Sequence, residues 1–379
     1  MKLKTEVLHS GSHFPRYAGA VASPIFQSAT FAQQTPESDE HPIRYIRLNN
    51  TPNHLLLNRR LAALEEGEAA LVMSSGMAAI STTFLGLLKS GDHLLLQKHL
   101  YGGTYALAVN DLPRMGIAFD WVDLDRPESW QNLVKPNTRA FYTESISNPL
   151  MAVPDLAAVV DFCQKNRLYS IIDNTFASPV NFKPLPLGFD VVIHSATKYL
   201  NGHSDLVAGV VAASQPLIEK LLPVLNRFGG ALDPHTCFLL ERGIKTLVLR
   251  VAQQNESAQK IAGYLQEQPS VATVNYPGLP DHPAHGLARR FFKGYGGMLS
   301  FALRGDMPAR EFVQRLKVIT DAPSLGGVES LVSIPAETSH ANMSARERAA
   351  MGISENLIRL SVGIEDVEDL IEDLGRALG

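Results

Sequence analysis

Val191-Val192-Ile193-His194-Ser195-Ala196-Thr197-Lys198-Tyr199-Leu200-Asn201-Gly202-His203 is a short apolar run that closes on two hydroxyls and a lysine. Val191–Ile193 has the composition of a strand buried on both faces. Ligands collect outside the carboxyl ends of strands in parallel sheets. Hydroxyls at such an end can hold a phosphate while a lysine reaches an aldehyde on the same molecule. Lysine is a useful nucleophile only when desolvation or a nearby cation lowers its pKa, and a strand end can supply the desolvation. Taken alone, the segment also fits an exposed lysine in a turn.

Working outward, Ser170-Ile171-Ile172-Asp173-Asn174-Thr175 ends a second apolar run on an acid. Asp173 fits either a carboxylate that pairs with a buried cation or a strand-terminal cap of the next turn. Upstream, Ser74-Ser75-Gly76-Met77-Ala78-Ala79 is a small-residue turn opening a helix, and N–H groups at a helix start bind phosphate. The chain has no G-x-G-x-x-G and no Walker A pattern, which counts against dinucleotides and nucleoside triphosphates.

The 379 residues suggest about two domains. Residues 1–55 lack sustained periodicity and carry Pro24, Pro36, Pro42 and Pro52, as expected of an extended arm that packs on something else. Over 56–233, candidate strands Ala69–Met73, His93–Gln97, Ala140–Thr143, Tyr169–Asp173, Val191–Ile193 and Val207–Ala212 alternate with helical stretches such as Asp155–Lys165. That alternation predicts an α/β domain with a mostly parallel sheet. Over 234–379 the pattern changes to a long helix across Thr236–Gln266, a strand at Met298–Leu303 and a helix near Glu365–Leu378, a smaller α+β domain.

Composition excludes several classes. A net charge of −4 gives no basic field for nucleic acid or an anionic membrane. Ala69–Leu88 is uncharged but too rich in Ser, Thr and Gly to face lipid, and no apolar stretch follows the charged Met1–Glu6 start, so neither a membrane span nor a signal peptide is expected. Cys163 and Cys237 are the two cysteines and form no Cys-x-x-Cys pair, consistent with reduced, buried thiols and a cytoplasmic location. His194, His203 and His235 lack metal-ligand spacing, so no metal is expected.

These elements, in this order, resemble the Cys/Met-metabolism family of pyridoxal-5′-phosphate (PLP) enzymes. The resemblance runs from Gly19-Ala20-Val21-Ala22-Ser23-Pro24-Ile25 to Ile358-Arg359-Leu360-Ser361-Val362-Gly363, and it is most specific in Ser195–His203 and in Ser324-Leu325-Gly326-Gly327-Val328-Glu329-Ser330-Leu331. It implies the fold-type-I, aspartate-aminotransferase-like architecture and PLP held as a Schiff base on Lys198. It further implies Asp173 as partner of the pyridine nitrogen, Gly76, Met77, Ser195 and Thr197 as phosphate ligands, and Tyr101 as the ring that stacks on the cofactor. Tyr45 and Arg47 match a pair that reaches the phosphate of a neighbouring subunit, in a homotetramer with shared sites. Arg359 resembles the fork onto the substrate carboxylate, with Asn148 and Ser324 beside it and Glu329 near the distal end of the substrate. Lys198, Tyr101 and Asp173 would carry catalysis.

The implied activity is cleavage or formation of the Cγ–S bond of cystathionine-type sulfur amino acids, as γ-lyase or γ-synthase. Methionine γ-lyase, cystathionine β-lyase, O-acetylhomoserine sulfhydrylase and a non-catalytic PLP-fold binding protein are the alternatives. Four places depart from the family pattern. The loop Asn49-Asn50-Thr51-Pro52-Asn53 reads one residue longer than the common Gly-Asn-Pro-Thr, and Glu337-Thr338-Ser339-His340 replaces the commoner Ser-Met-Thr-His. Ala106 stands where many γ-synthases and γ-lyases carry Arg, and Gly103 where methionine γ-lyases carry a reactive Cys.

Overall fold

A computed structural model describes residues 1–11, 16–32, 44–305, 307–339, 341 and 343–379. Pro36 and Pro42, expected in the arm, lie outside the described residues. Seven strands form the first sheet: β1 (Ala69–Met73), β2 (His93–Gln97), β3 (Ala118–Val122), β4 (Thr138–Glu144), β5 (Tyr169–Asp173), β6 (Val191–Ser195) and β7 (Gly209–Ala213). Their spatial order is β1-β7-β6-β5-β4-β2-β3. β7 runs antiparallel to both of its neighbours, and the other strands share one direction. The mostly parallel sheet predicted from the strand–helix alternation is present.

The strands carry few charges because helices cover both sheet faces. Leu71, Leu94, Ile171, Ile193 and Val211 point to one side, beneath the helices Gly76–Leu87 and Gln215–Phe228. Val72, Leu95, Ile172, Val192 and Val210 point to the other, where the helices Pro52–Leu64 and Leu156–Asn166 pack. Caps fix where helices begin. Asp155 accepts from the N–H groups of Ala157 and Ala158, and Asp233 from that of Thr236.

The second sheet contains β8 (Val271–Asn275), β9 (Met298–Leu303), β10 (Thr320–Asp321), β11 (Leu331–Ser333) and β12 (Leu357–Ser361), in the order β10-β11-β12-β9-β8. The pattern over Thr236–Gln266 predicts one helix, but two form, Pro234–Ile244 and Leu247–Gln266. Between them Lys245 and Thr246 donate to the carbonyls of Arg242 and Gly243, an i→i−3 turn that ends the first helix. The second helix begins in the core of the first sheet with Leu247, Val248 and Val251. It ends in the core of the second with Ala258, Ile261, Ala262 and Leu265.

The arm starts as a helix, Leu3–His9, rather than as extended chain. Buried Arg60 donates to the carbonyls of Val7, Leu8 and Ser10, and it faces Glu241 at 3.5 Å. Among the described residues, no helix is long and apolar enough to cross a membrane.

Candidate active site

Strand ends of the first sheet gather the candidate residues. Asp173 closes β5, Ser195 closes β6, and Gly76 opens the helix after β1. A Cβ built on Gly76 would lie 2.8 Å from Ser195 Cβ and 3.0 Å from its Oγ. Only glycine lets the helix start come so near the serine, and together they form a cup lined by N–H groups and a hydroxyl. Thr197 sits beside it; its Oγ1 accepts from the N–H of Ala208 at 3.0 Å. Met77 follows Gly76 in the first turn of the helix.

Lys198 lies in the turn after β6, where its N–H donates to Ser195 O and its own carbonyl accepts from Gly202 N–H. Nζ donates to Ser324 Oγ at 2.6 Å. Burial, and secondarily the positive charge of Arg359, bring its pKa down to about 8. The amine therefore has the character that the sequence requires of it.

Asp173 sits in the opposite electrostatic situation. Burial pushes its carboxyl up, while the Thr175 hydroxyl and N–H, the charge of His194 and the Tyr142 hydroxyl offset part of that rise. The N–H of Thr175 donates to Oδ1 at 2.9 Å. Such a carboxylate gains most when a cation is placed against it.

Arg359 comes from β12 in the other sheet and is buried. Nη1 donates to Asn148 Oδ1 at 3.1 Å and Nη2 to the Ser324 carbonyl at 3.2 Å. Burial lowers its pKa to about 10, and Tyr101 and Tyr199 oppose that drop. The guanidinium keeps its charge and is aimed by neutral acceptors, as a carboxylate receptor should be. Ser324 thus bonds the lysine through its hydroxyl and the arginine through its carbonyl, on a backbone with φ of 105°.

Two groups of predicted residues stand apart from this cluster. Tyr45 N–H donates to Asn50 Oδ1 at 3.0 Å, and Arg47 Nη1 donates to the Asn226 carbonyl at 3.0 Å, at the end of the helix Gln215–Phe228. Glu329 is exposed, and its Oε2 accepts from Ser204 Oγ at 3.2 Å. Among the described residues, no hydrogen bond joins Tyr45, Arg47 or Glu329 to Lys198, Ser324 or Arg359.

Sequence reading missed three residues that touch the site: Tyr142 and Glu144 on β4, and Thr175 after β5. Tyr142 Oη donates to Asp173 Oδ2 at 3.4 Å. Thr175 Oγ1 accepts from Ser195 N–H at 2.8 Å and so ties the acid to the anion cup. Glu144 ends the strand beside Asp173 and accepts from the N–H of Tyr101 at 2.7 Å. The one available signal was a charged residue closing the apolar strand Ala140–Thr143, four positions before Asn148.

The donor set fits PLP. The cup at Gly76, Ser195 and Thr197 suits its phosphate, Asp173 its ring nitrogen, and the Lys198 amine its aldehyde. Fold and site together define a PLP-dependent enzyme of fold type I. The chain belongs to the Cys/Met metabolism PLP-dependent enzyme family, whose sequence profile matches residues 4–379. It is 45% identical over 380 residues to the cystathionine gamma-lyase of Bacillus subtilis (strain 168), covering 100% of this chain and 99% of that one. It is 43% identical to the L-methionine gamma-lyase of Pseudomonas deceptionensis, covering 99% and 96%. The crystal structure of cystathionine gamma-lyase from Lactobacillus plantarum complexed with L-serine superposes with a TM-score of 0.94 at 41% identity, covering 100% of this chain and 98% of the other.

Proposed function

We propose that the protein cleaves the Cγ–S bond of L-cystathionine with consumption of one water, releasing L-cysteine, 2-oxobutyrate and ammonia. The observation that carries this reading is the placement of a readily deprotonated amine, Lys198 Nζ, on the same serine that braces the carboxylate receptor Arg359. Full-length likeness to cystathionine gamma-lyases supports the choice of substrate.

When bound, PLP supplies the electron sink that acidifies the substrate α-carbon. The chain does the rest. Arg359 receives the α-carboxylate through paired N–H donors, with Asn148 and Ser324 fixing the fork. Lys198 Nζ takes the α-proton as a general base, and it carries the β-proton needed for departure at Cγ. Ser324 Oγ holds that amine between transfers. Asp173, negatively charged, keeps a cationic ring nitrogen protonated. Tyr101 covers the ring, and either Tyr101 or Tyr45 returns a proton to the departing sulfur. Arg47 and Tyr45 reach the phosphate in a neighbouring subunit, so each site needs two chains, within the homotetramer expected of the family. The buried free thiols Cys163 and Cys237 suit a cytoplasmic enzyme.

The test is to offer L-cystathionine, L-methionine, L-homocysteine, and O-acylhomoserine with cysteine, each separately. 2-Oxobutyrate from cystathionine is expected. Pyruvate with homocysteine would move the protein to the β-lyases, oxobutyrate from methionine alone to the methionine γ-lyases, and new cystathionine to the synthases. For the shared site, mixing inactive Arg47→Ala with inactive Lys198→Ala subunits restores activity; silence of the mixture would reject it.

A further inference from the structure

The connection from β2 to Tyr101 is held down at two points. Gln97, the last residue of β2, donates through Nε2 to the His99 carbonyl at 2.7 Å, and its Oε1 accepts from Thr143 Oγ1 and from Glu144 N–H. Glu144, the last residue of β4, then accepts from Tyr101 N–H through Oε1 at 2.7 Å. The ring of Tyr101 lies against Gly103, where an added Cβ would be 2.6 Å from Tyr101 Cε1 and 2.8 Å from Met77 Sδ. The backbone N–H is thus held, and the ring edge lies against Gly103.

We propose that Glu144 is a positioning residue, whose carboxyl group sets the tyrosine ring over the cofactor cavity by gripping the Tyr101 backbone. The proposal rests on the reading that Tyr101 covers the cofactor ring. Here the chain uses a carboxyl, buried and in register with Asp173 on the adjacent strand. Two acids side by side at the end of a parallel sheet are mutually unfavourable when both are ionised. Burial, followed by the charge of Asp173, pushes the Glu144 carboxyl well up, and its Oε1 accepts from Tyr101 N–H. The length of the side chain is then what matters, because it spans from strand end to loop.

The experiment uses the PLP-loaded protein and two readouts, the dissociation constant of PLP and the visible circular dichroism of the bound cofactor. Tyr101→Ala, Glu144→Ala, their double variant, and Glu144→Gln are compared. Loss of one aromatic stacking contact predicts roughly 3- to 10-fold weaker PLP binding in Tyr101→Ala. Glu144→Ala should weaken it by a similar factor with the same change in dichroism, and the double variant should be no worse than either single one. Glu144→Gln, which keeps an acceptor oxygen at the same length, should rescue both signals. Where Glu144→Ala does not fold, Glu144→Asp, one methylene shorter, takes its place and should behave like Tyr101→Ala. Additive losses in the double variant, or an unchanged dichroism in Glu144→Ala or Glu144→Asp, would overturn the proposal. An unchanged signal in Tyr101→Ala itself would instead overturn the reading that this ring covers the cofactor.

Discussion

Capture of the cofactor by Lys198 should depend on pH in a way an ordinary lysine could not reproduce. Burial and the neighbouring Arg359 place the amine at about 8 instead of 10.5. At about pH 7.5 roughly a quarter of such amines are neutral, against about one in a thousand for an unperturbed lysine, a difference of roughly 200-fold in the reactive population. The assay is stopped-flow mixing of cofactor-free protein with PLP, followed by the visible absorbance of the product, across a pH series. A free lysine derivative run in parallel corrects for titration of PLP itself. The corrected rate should rise and level off above about pH 8. Replacing Arg359 with Met removes a positive charge and should move the inflection upward. A rate still climbing roughly tenfold per pH unit beyond about pH 9.5 would refute the reasoning.

Three further outcomes follow from the same geometry. Arg359→Lys loses the fork held by Asn148 and Ser324. With charge-assisted hydrogen bonds worth about 1.5–3 kcal/mol, kcat/KM for cystathionine should fall roughly 10- to 150-fold in steady-state assays, mainly through KM. Gly103→Cys sets a side chain where Tyr101 Cε1 and Met77 Sδ stand within 2.8 Å, so the ring must shift, and titration should show weaker PLP binding. Gly209→Ala places a methyl 2.0 Å from the Ser75 carbonyl oxygen, between β7 and the turn that forms the phosphate cup. Overpacking of this kind costs about 1–3 kcal/mol, more against backbone, and a lowered melting temperature should report it.

Strands buried on both faces were the most legible part of the fold. Ala69–Met73, His93–Gln97 and Tyr169–Asp173 run as their apolar content predicts. β7 begins at Gly209 instead of Val207, because Ala208 is taken up by hydrogen bonds to Thr197 and Val207 is exposed. β3 escaped notice since it is an edge strand with Asp120 in its middle, and edges need no continuous apolar run. In the second sheet only β9 was anticipated; β10 and β11 are two and three residues long, too short to show a period.

The site divides along similar lines. Lys198, Asp173, Ser195 and Gly76 stand at strand and helix ends, where local pattern reveals them. Glu144 and Thr175 touch the site through neighbours brought together by sheet register; Glu144 showed in the sequence only as a charge closing a strand, and Thr175 left no signal. Glu329 illustrates the reverse, a residue in a distinctive motif whose described contact is a surface serine.

The helix Leu247–Gln266 works as an axle sunk into two hubs. The amine belongs to one hub and the guanidinium to the other, so their separation depends on how this rod is seated at either end as well as on Ser324, which touches both. One residue inserted at its midpoint would turn the far half by about 100° relative to the near half. Every contact of Lys198 and Arg359 could remain encoded in the sequence, and the two groups would still face different directions.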